Sequence, residues 1–301
     1  MSGWLQRYPP RGLFCLLLVY IVWGSTYLGI RYAVREGSGF PPFSMAAARA
    51  LTGGLILLGL GLAFRHRLRI TRREFGLLML SSILLWNGGN GLVTWAEQRA
   101  HSAFAALVVG STPLYSAIVE AILNRKRPSL LLIASWLVGL AGLYVLTKPA
   151  LDAGTPADLW ATVALLLAPL SWSIGSAIQL RNPLGLSTFA SSGYQQLFGT
   201  IGFLVLLTAT GEPAPQPTAE AWWAWGYLVV FGSVIGFTSF VYALRTLPVP
   251  VVMTYGFVNP VIAVFLGWFF LSEAITPTTL AGTALILAGV GGVFREKHAT
   301  K

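Results

Sequence analysis

Tyr20, Trp23, Gly24, Tyr27 and Arg31 recur at i, i+3, i+4, i+7 and i+11, which puts two phenols, an indole and a guanidinium on one helical face. Trp172, Gly175, Ser176 and Gln179 follow the same spacing later in the chain. Such side chains bind rather than react: the rings stack on apolar or aromatic groups, and the hydroxyls and amide fix orientation. The alternative is helix packing with an aromatic belt. Tyr20, Trp23 and Trp172 sit well inside their apolar runs, however, and belts form at the ends.

Three further groups of polar residues fall inside apolar runs. Trp86-Asn87-Gly88-Gly89-Asn90-Gly91 is followed by Thr94. At ordinary helical spacing Asn87, Asn90 and Thr94 share a face, so a kinked, cavity-lining segment is expected, with close helix packing as the alternative. Pro113 and Pro260 each remove a backbone hydrogen bond and predict kinks, with Ser111, Tyr115, Tyr255 and Asn259 supplying polarity beside them. Arg49 and Glu120 are charges well within the apolar runs. Arg49 either meets a substrate carboxylate in a cavity or snorkels to the near interface. Glu120 lies one turn from Asn124-Arg125, which reads as an interfacial pair; a proton-coupling carboxylate is the sharper alternative.

Reaction chemistry is harder to find. There is no G-x-x-x-x-G-K-[ST] phosphate loop and no Cys/His cluster at metal-ligand spacing. His66, His101 and His298 fall at ends or tails, and the single Cys15 excludes a disulfide within the chain. No convergent nucleophile or acid/base pair stands out, so no enzyme, cofactor or metal site is expected.

The elements that position these residues are membrane spans. Of 301 residues, 55% are hydrophobic and 10% charged, against about 25% charged in soluble domains. Apolar stretches run near 13–33, 44–64, 75–96, 102–123, 129–147, 159–179, 189–209, 222–244, 249–271 and 277–294. Each approaches the roughly 20 residues that cross a bilayer as a helix. The first is too long for a signal-peptide core and reads as a retained span. With the N-terminus inside, fifteen Lys and Arg residues fall on inner segments and four on outer ones. That asymmetry puts both termini in the cytoplasm. It also accounts for the net charge of +10 without a nucleic-acid partner, since the basic run 65–73 reads as a topology anchor.

The ten stretches divide into two similar halves, 1–148 and 149–301. At an offset of 147, Trp95-Ala96 falls on Tyr242-Ala243, Gly89 on Gly236, Pro113 on Pro260 and Arg49 on Gln196. Ala134 falls on Ala281, and Leu140-Ala141-Gly142 on Leu287-Ala288-Gly289. Five spans per half means the halves lie upside down to one another. The expected fold is therefore all-α, with ten transmembrane helices in two inverted five-helix repeats. Such proteins are secondary transporters with a midplane site between the repeats. Helices one to four and six to nine would build the cavity, including Gln196. Helices five and ten carry small residues four apart, Ser135 and Gly139, then Ala284, Ala288 and Gly292. They read as peripheral packing or homodimer surfaces.

The chain resembles the drug/metabolite transporter superfamily in its ten-helix EamA branch. The resemblance rests on Val22-Trp23-Gly24-Ser25-Thr26, on Pro42-Phe43-Ser44-Met45-Ala46-Ala47-Ala48-Arg49, on the Pro113 and Pro260 pair, and on Leu271-Ser272-Glu273 leading to Gly282 and Gly289. The first half departs from the pattern: Asn124-Arg125-Lys126 stands where a partner for Glu273 would fall. The resemblance implies export of amino acids, drugs or other metabolites across the inner membrane, with a YddG-type aromatic amino-acid exporter as a plausible relative. An aromatic share of 13% fits such a ligand. Three other readings stay open: a passive channel or facilitator, a sugar-phosphate or nucleotide-sugar carrier, and a membrane-embedded enzyme. The carrier would need several cavity cations, and the sequence offers Arg49.

Overall fold

The computed structural model describes residues 8–100, 105, 108–125, 127–152, 159–271 and 276–295. These form helices α1 (Pro10–Val34), α2 (Pro42–Ala63), α3 (Arg72–Ala96), α4 (Thr112–Asn124), α5 (Leu130–Asp152), α6 (Leu159–Arg181), α7 (Thr188–Thr210), α8 (Ala219–Thr246), α9 (Val249–Met253 and Tyr255–Leu271) and α10 (Pro277–Arg295). Six of them, α1, α2, α3, α6, α8 and α10, are long and apolar enough to cross a membrane, and Leu130–Val145 and Val249–Ile262 are shorter apolar helices. α7 is as long as these spans, but its hydropathy is diluted by Ser191, Ser192, Gln195 and Gln196, all fully buried. Glu273, His101 and His298 lie outside the described residues.

Local sequence explains the helix ends. Pro10 and Pro42 occupy the first turns of α1 and α2, where a missing N–H costs nothing. Thr71 and Glu74 close a reciprocal capping box at the start of α3. Gly211 takes the left-handed conformation, φ 65°, that ends α7.

Helix packing follows a two-fold pattern. α2 lies on α7, α5 on α10, and α4 touches α9, so each of these helices meets its counterpart in the other half. Other contacts come in matched pairs: α1 packs on α8 and α9, and α6 packs on α3 and α4. The same helix in each half also widens into a π-type turn, Ile83–Gly91 in α3 and Leu228–Gly236 in α8. An axis relating two five-helix halves in this way inverts one against the other. The ends of the bundle agree: Tyr8, just before α1, packs edge-on against Phe294 near the end of α10, at 6.0 Å.

The glycine and serine faces of α5 and α10 are used within the chain. A Cβ on Gly142 would stand 2.8 Å from the Gly282 carbonyl, and one on Gly289 would stand 2.7 Å from the Ser135 carbonyl. These small-residue faces therefore pack against each other within the chain. What α5 and α10 leave exposed is leucine, including Leu130, Leu137, Leu280 and Leu287.

At the end of the bundle where α1 gives way to α2, the loops of the two halves are tied together. Gln216 N–H donates to the Gly39 carbonyl at 2.8 Å and Thr218 N–H to the Ser38 carbonyl at 3.0 Å. The Glu212 carboxylate accepts from Phe43 N, Ser44 N and Ser44 Oγ, each at 2.8 Å, and so caps α2 from the other repeat. Charge-assisted capping of this kind is worth about 1–2 kcal/mol. Glu212→Ala should lower the melting temperature of the detergent-solubilised protein by a few degrees, with Glu212→Gln intermediate. An unchanged melting curve for both would show that the cap adds nothing to stability.

Candidate functional site

The inner faces of the helices line a central cavity. Its lining comes from α1 (Trp23, Thr26, Tyr27, Ile30), α2 (Arg49), α3 (Trp86, Gly89, Asn90, Val93) and α6 (Ala168, Pro169, Trp172). Gly232 and Phe237 of α8, Tyr255 and Asn259 of α9, Thr112 at the start of α4 and Val109 just before it complete the lining. The residues from α1 and α3 lie in the second halves of those helices and Arg49 in the first third of α2. The cavity is therefore displaced toward the end that carries the α1–α2 loop. At its other end, the Tyr20 hydroxyl bonds the Thr254 hydroxyl at 2.6 Å and closes α1 against α9.

One wall is aromatic. Trp23 meets Trp172 edge to face at 5.3 Å, Tyr255 edge to face at 5.2 Å and Phe240 at 5.1 Å. Trp86 and Phe237 continue the wall, 5.1 Å apart. The two facing tryptophans are seated by the two repeat-related glycines. A Cβ on Gly236 of α8 would lie 2.5 Å from Trp23 Nε1, and one on Gly89 of α3 would lie 2.6 Å from Trp172 Cε3. Each half thus supplies the tryptophan that the other half's glycine accommodates.

Arg49 faces this wall. It is 3% exposed and its guanidinium lies 5.6 Å from the Trp86 ring centre. Its Nε donates to Ser233 Oγ at 2.8 Å, across the repeat boundary. Gly232, the residue before that serine, admits the head group: a Cβ there would be 2.7 Å from Arg49 Nη2. Burial of this kind corrects the snorkelling alternative. Arg49 Nη1, Trp86 Nε1, Trp172 Nε1 and Asn90 Oδ1 are buried and make no hydrogen bond within the protein. Donors thus outnumber acceptors among these groups, and buried polar groups are costly to leave unpaired.

The structure brings Trp23, Tyr27, Arg49, Asn90, Trp172, Tyr255 and Asn259 to one cavity. With its amide nitrogen toward them, Asn259 donates to the carbonyls of Tyr20 and Tyr255 at 3.2 and 3.1 Å. Other expected members are placed elsewhere. Asn87 Nδ2 donates to the Gly199 carbonyl of α7 at 2.9 Å, a packing role. Thr94 is fully buried and bonds its own helix at the Asn90 carbonyl. Ser176 does the same at the Trp172 carbonyl, and Ser111 at the Val108 carbonyl. Gln196 Nε2 donates to the Ser233 carbonyl at 3.1 Å, behind the wall. Tyr20 lies below the cavity, and Tyr115 is not part of its lining.

The proline kinks also differ in detail. The chain is helical over 108–110, breaks at Ser111 and resumes with Pro113 in the first turn of α4. In α9 the break is at Thr254, and Pro260 sits within the following helix. The two breaks pack together, since a Cβ on Gly256 would meet Pro113 Cδ at 3.1 Å. Glu120 lies outside the cavity, accepting from Asn124 Nδ2 at 2.7 Å; Asn124 in turn bonds Arg181. Glu120, Asn124 and Arg181 thus form a polar cluster apart from the cavity lining. Thr26, Trp86 and Phe237 of the lining, and the fully buried Glu97 at the end of α3, are not singled out by spacing.

This arrangement of two five-helix repeats around a central cavity coincides with a family match. The sequence profile of the EamA-like transporter family matches residues 10–148 and again 159–295. The chain belongs to the EamA-like transporter family. An inner membrane transporter of Escherichia coli (strain K12), YedA, is similar: 32% identical over 287 residues, 94% of this chain and 90% of the relative. A probable terminal-alkyne amino-acid exporter of Streptantibioticus cattleyicolor is 24% identical over 280 residues, covering 93% and 92%. An S-adenosylmethionine/S-adenosylhomocysteine transporter of Chlamydia muridarum is 24% identical over 300 residues, covering 96% and 93%. A solved crystal structure superposes with a TM-score of 0.77 at 21% identity, covering 94% of this chain and 96% of that one, which shows the fold alone. This EamA protein is a membrane transporter, not an enzyme. Among the described residues no group of His, Cys, Asp or Glu is arranged to hold a metal.

Proposed function

We propose that the protein is an alternating-access exporter of small amino acids with aromatic or other apolar side chains, and of drug-like compounds of similar shape. The observation that carries this reading is the buried Arg49, facing an aromatic wall with one guanidinium nitrogen unpaired. A substrate carboxylate would take Arg49 Nη1 in a charge-assisted bond, an ammonium would donate to Asn90 Oδ1, and an apolar side chain would stack on Trp23, Trp86 and Trp172. The compounds in the names of the Streptantibioticus and Chlamydia relatives, a terminal-alkyne amino acid and S-adenosylmethionine, share an α-amino-acid group.

A sugar-phosphate or nucleotide-sugar carrier fits less well. Phosphates call for several cations, and Arg49 is the one cation among the lining residues. The excess of inner Lys and Arg favours both termini in the cytoplasm, which puts the cavity in the outer half of the bilayer. A reporter fused after Lys301 should then be active on the cytoplasmic side; activity on the outer side would reverse the assignment.

Flux in proteoliposomes tests the substrate class. L-Phenylalanine, L-tryptophan and L-leucine should be transported with saturation, and glucose 6-phosphate and a nucleotide sugar should neither move nor compete. Transport of the phosphorylated compounds in preference to amino acids would overturn the reading.

A further inference from the structure

The Arg49 head group is fixed at one edge. Its Nε donates to Ser233 Oγ at 2.8 Å, while Nη1 is buried and unpaired. A guanidinium presents its N–H groups in a rigid planar fork, so whatever holds Nε also sets where Nη1 points. Ser233 is itself held. It is fully buried in the π-type turn Leu228–Gly236 of α8, and its backbone carbonyl accepts from Gln196 Nε2 of α7 at 3.1 Å. Its side chain lies against Gly53 of α2: a Cβ on Gly53 would stand 2.9 Å from Ser233 Cβ and 2.3 Å from Gln196 Oε1. One residue earlier, the Gly232 carbonyl accepts from Trp23 Nε1 of α1 at 3.3 Å. Helices α1, α2 and α7 thus fix the stretch of backbone that carries the hydroxyl. The guanidinium also lies 5.6 Å from the ring centre of Trp86, in the matching π-type turn of α3. At the offset of 147, Arg49 falls on Gln196 and Trp86 on Ser233. The same two positions of each half therefore meet here. The first half supplies the cation and the ring, and the second supplies the amide and the hydroxyl that secure the cation.

We propose that Ser233 is a positioning residue for substrate recognition: by holding Arg49 Nε it leaves Nη1 as the aimed donor, and so sets the preference for ligands that carry a carboxylate. The role rests on the amino-acid reading above. Arg49 lines the cavity and Ser233 does not, so the serine acts through the arginine without touching the substrate. Without the hydroxyl, the buried Nε–H loses its acceptor and the guanidinium turns to find another. A carboxylate then meets a cation that must be reoriented on binding instead of one already in place. The charge itself is kept, so part of the affinity survives. Amines without a carboxylate make no use of Nη1 and do not register the change.

The test is the affinity of the purified protein for L-phenylalanine and for phenethylamine, in the wild type, Ser233→Ala, Arg49→Ala and the double variant. Ser233→Ala should weaken L-phenylalanine binding about three- to tenfold, the scale of one hydrogen bond to a charged group, and change phenethylamine binding less than about twofold. Retained phenethylamine binding shows that the variant is folded with its cavity intact. In the Arg49→Ala background, Ser233→Ala should cost nothing further, because the hydroxyl acts through the guanidinium. Unchanged L-phenylalanine affinity in Ser233→Ala would overturn the proposal. So would an equal loss for both ligands, which describes a packing residue, or the same loss with and without Arg49. If the wild type binds no amino acid, the substrate reading itself fails, an outcome distinct from amino-acid binding that is indifferent to Ser233.

Discussion

Replacing Arg49 with alanine is expected to weaken binding and transport of carboxylate-bearing substrates by tenfold or more. Decarboxylated analogues of the same ring system should be nearly unaffected. The magnitude follows from losing one charge-assisted bond, worth about 1.5–3 kcal/mol. Arg49→Lys should recover part of the loss, because an ammonium keeps the charge but not the planar fork that reaches Ser233 Oγ and the cavity together. Paired measurements with L-phenylalanine and phenethylamine separate recognition from packing. Equal loss for both ligands, with normal protein levels, would assign Arg49 to holding α2 against α8.

The second large effect concerns the paired glycines. Gly236→Ala puts a methyl 2.5 Å from Trp23 Nε1, and Gly89→Ala puts one 2.6 Å from Trp172 Cε3. Neither ring can retreat easily, since Trp23 is already enclosed by Trp172, Phe240 and Tyr255. Overpacking of this kind costs about 1–3 kcal/mol. Each substitution should lower the melting temperature by several degrees and reduce flux at least several-fold, and the two should be of similar size because the positions are related by the two-fold axis. Gly59→Ala and Gly76→Ala, where a Cβ meets nothing within 4 Å, are the matched controls. Full activity in Gly236→Ala and Gly89→Ala would show that the tryptophan pair is not part of the transport site.

These residues also mark how far spacing carries toward a site. Trp23 and Trp172 are legible because regular helices obey the 3.6-residue period and because an indole in mid-span is not an interfacial belt. Asn87, Asn90 and Thr94 are not, because the π-type turn over Ile83–Gly91 shifts the phase of α3. Residues expected on one face are separated: Asn90 lines the cavity, Asn87 faces α7, and Thr94 bonds the Asn90 carbonyl of its own helix. Gln196 is polar and inward, as its match to Arg49 suggests, but its shorter side chain ends on the Ser233 backbone. Glu97 is hidden for another reason. A carboxylate at the last turn of an apolar run normally signals water, and only tertiary packing, with Arg31 Nη1 on its backbone carbonyl, buries it here. The two-fold arrangement was easier to read, because short connections and five spans per half leave little freedom in how the repeats can face each other.

Counterflow of a labelled aromatic amino acid tests the account's central claim most directly. Proteoliposomes loaded with millimolar unlabelled L-phenylalanine should take up external labelled L-phenylalanine with saturable kinetics. Uptake should be faster than into empty vesicles, because one site is exposed alternately to the two sides. It should be inhibited by external L-tryptophan and strongly reduced in Arg49→Ala. Flux that rises linearly with concentration, is indifferent to internal substrate and is unchanged in Arg49→Ala would contradict the account and describe an open pore instead.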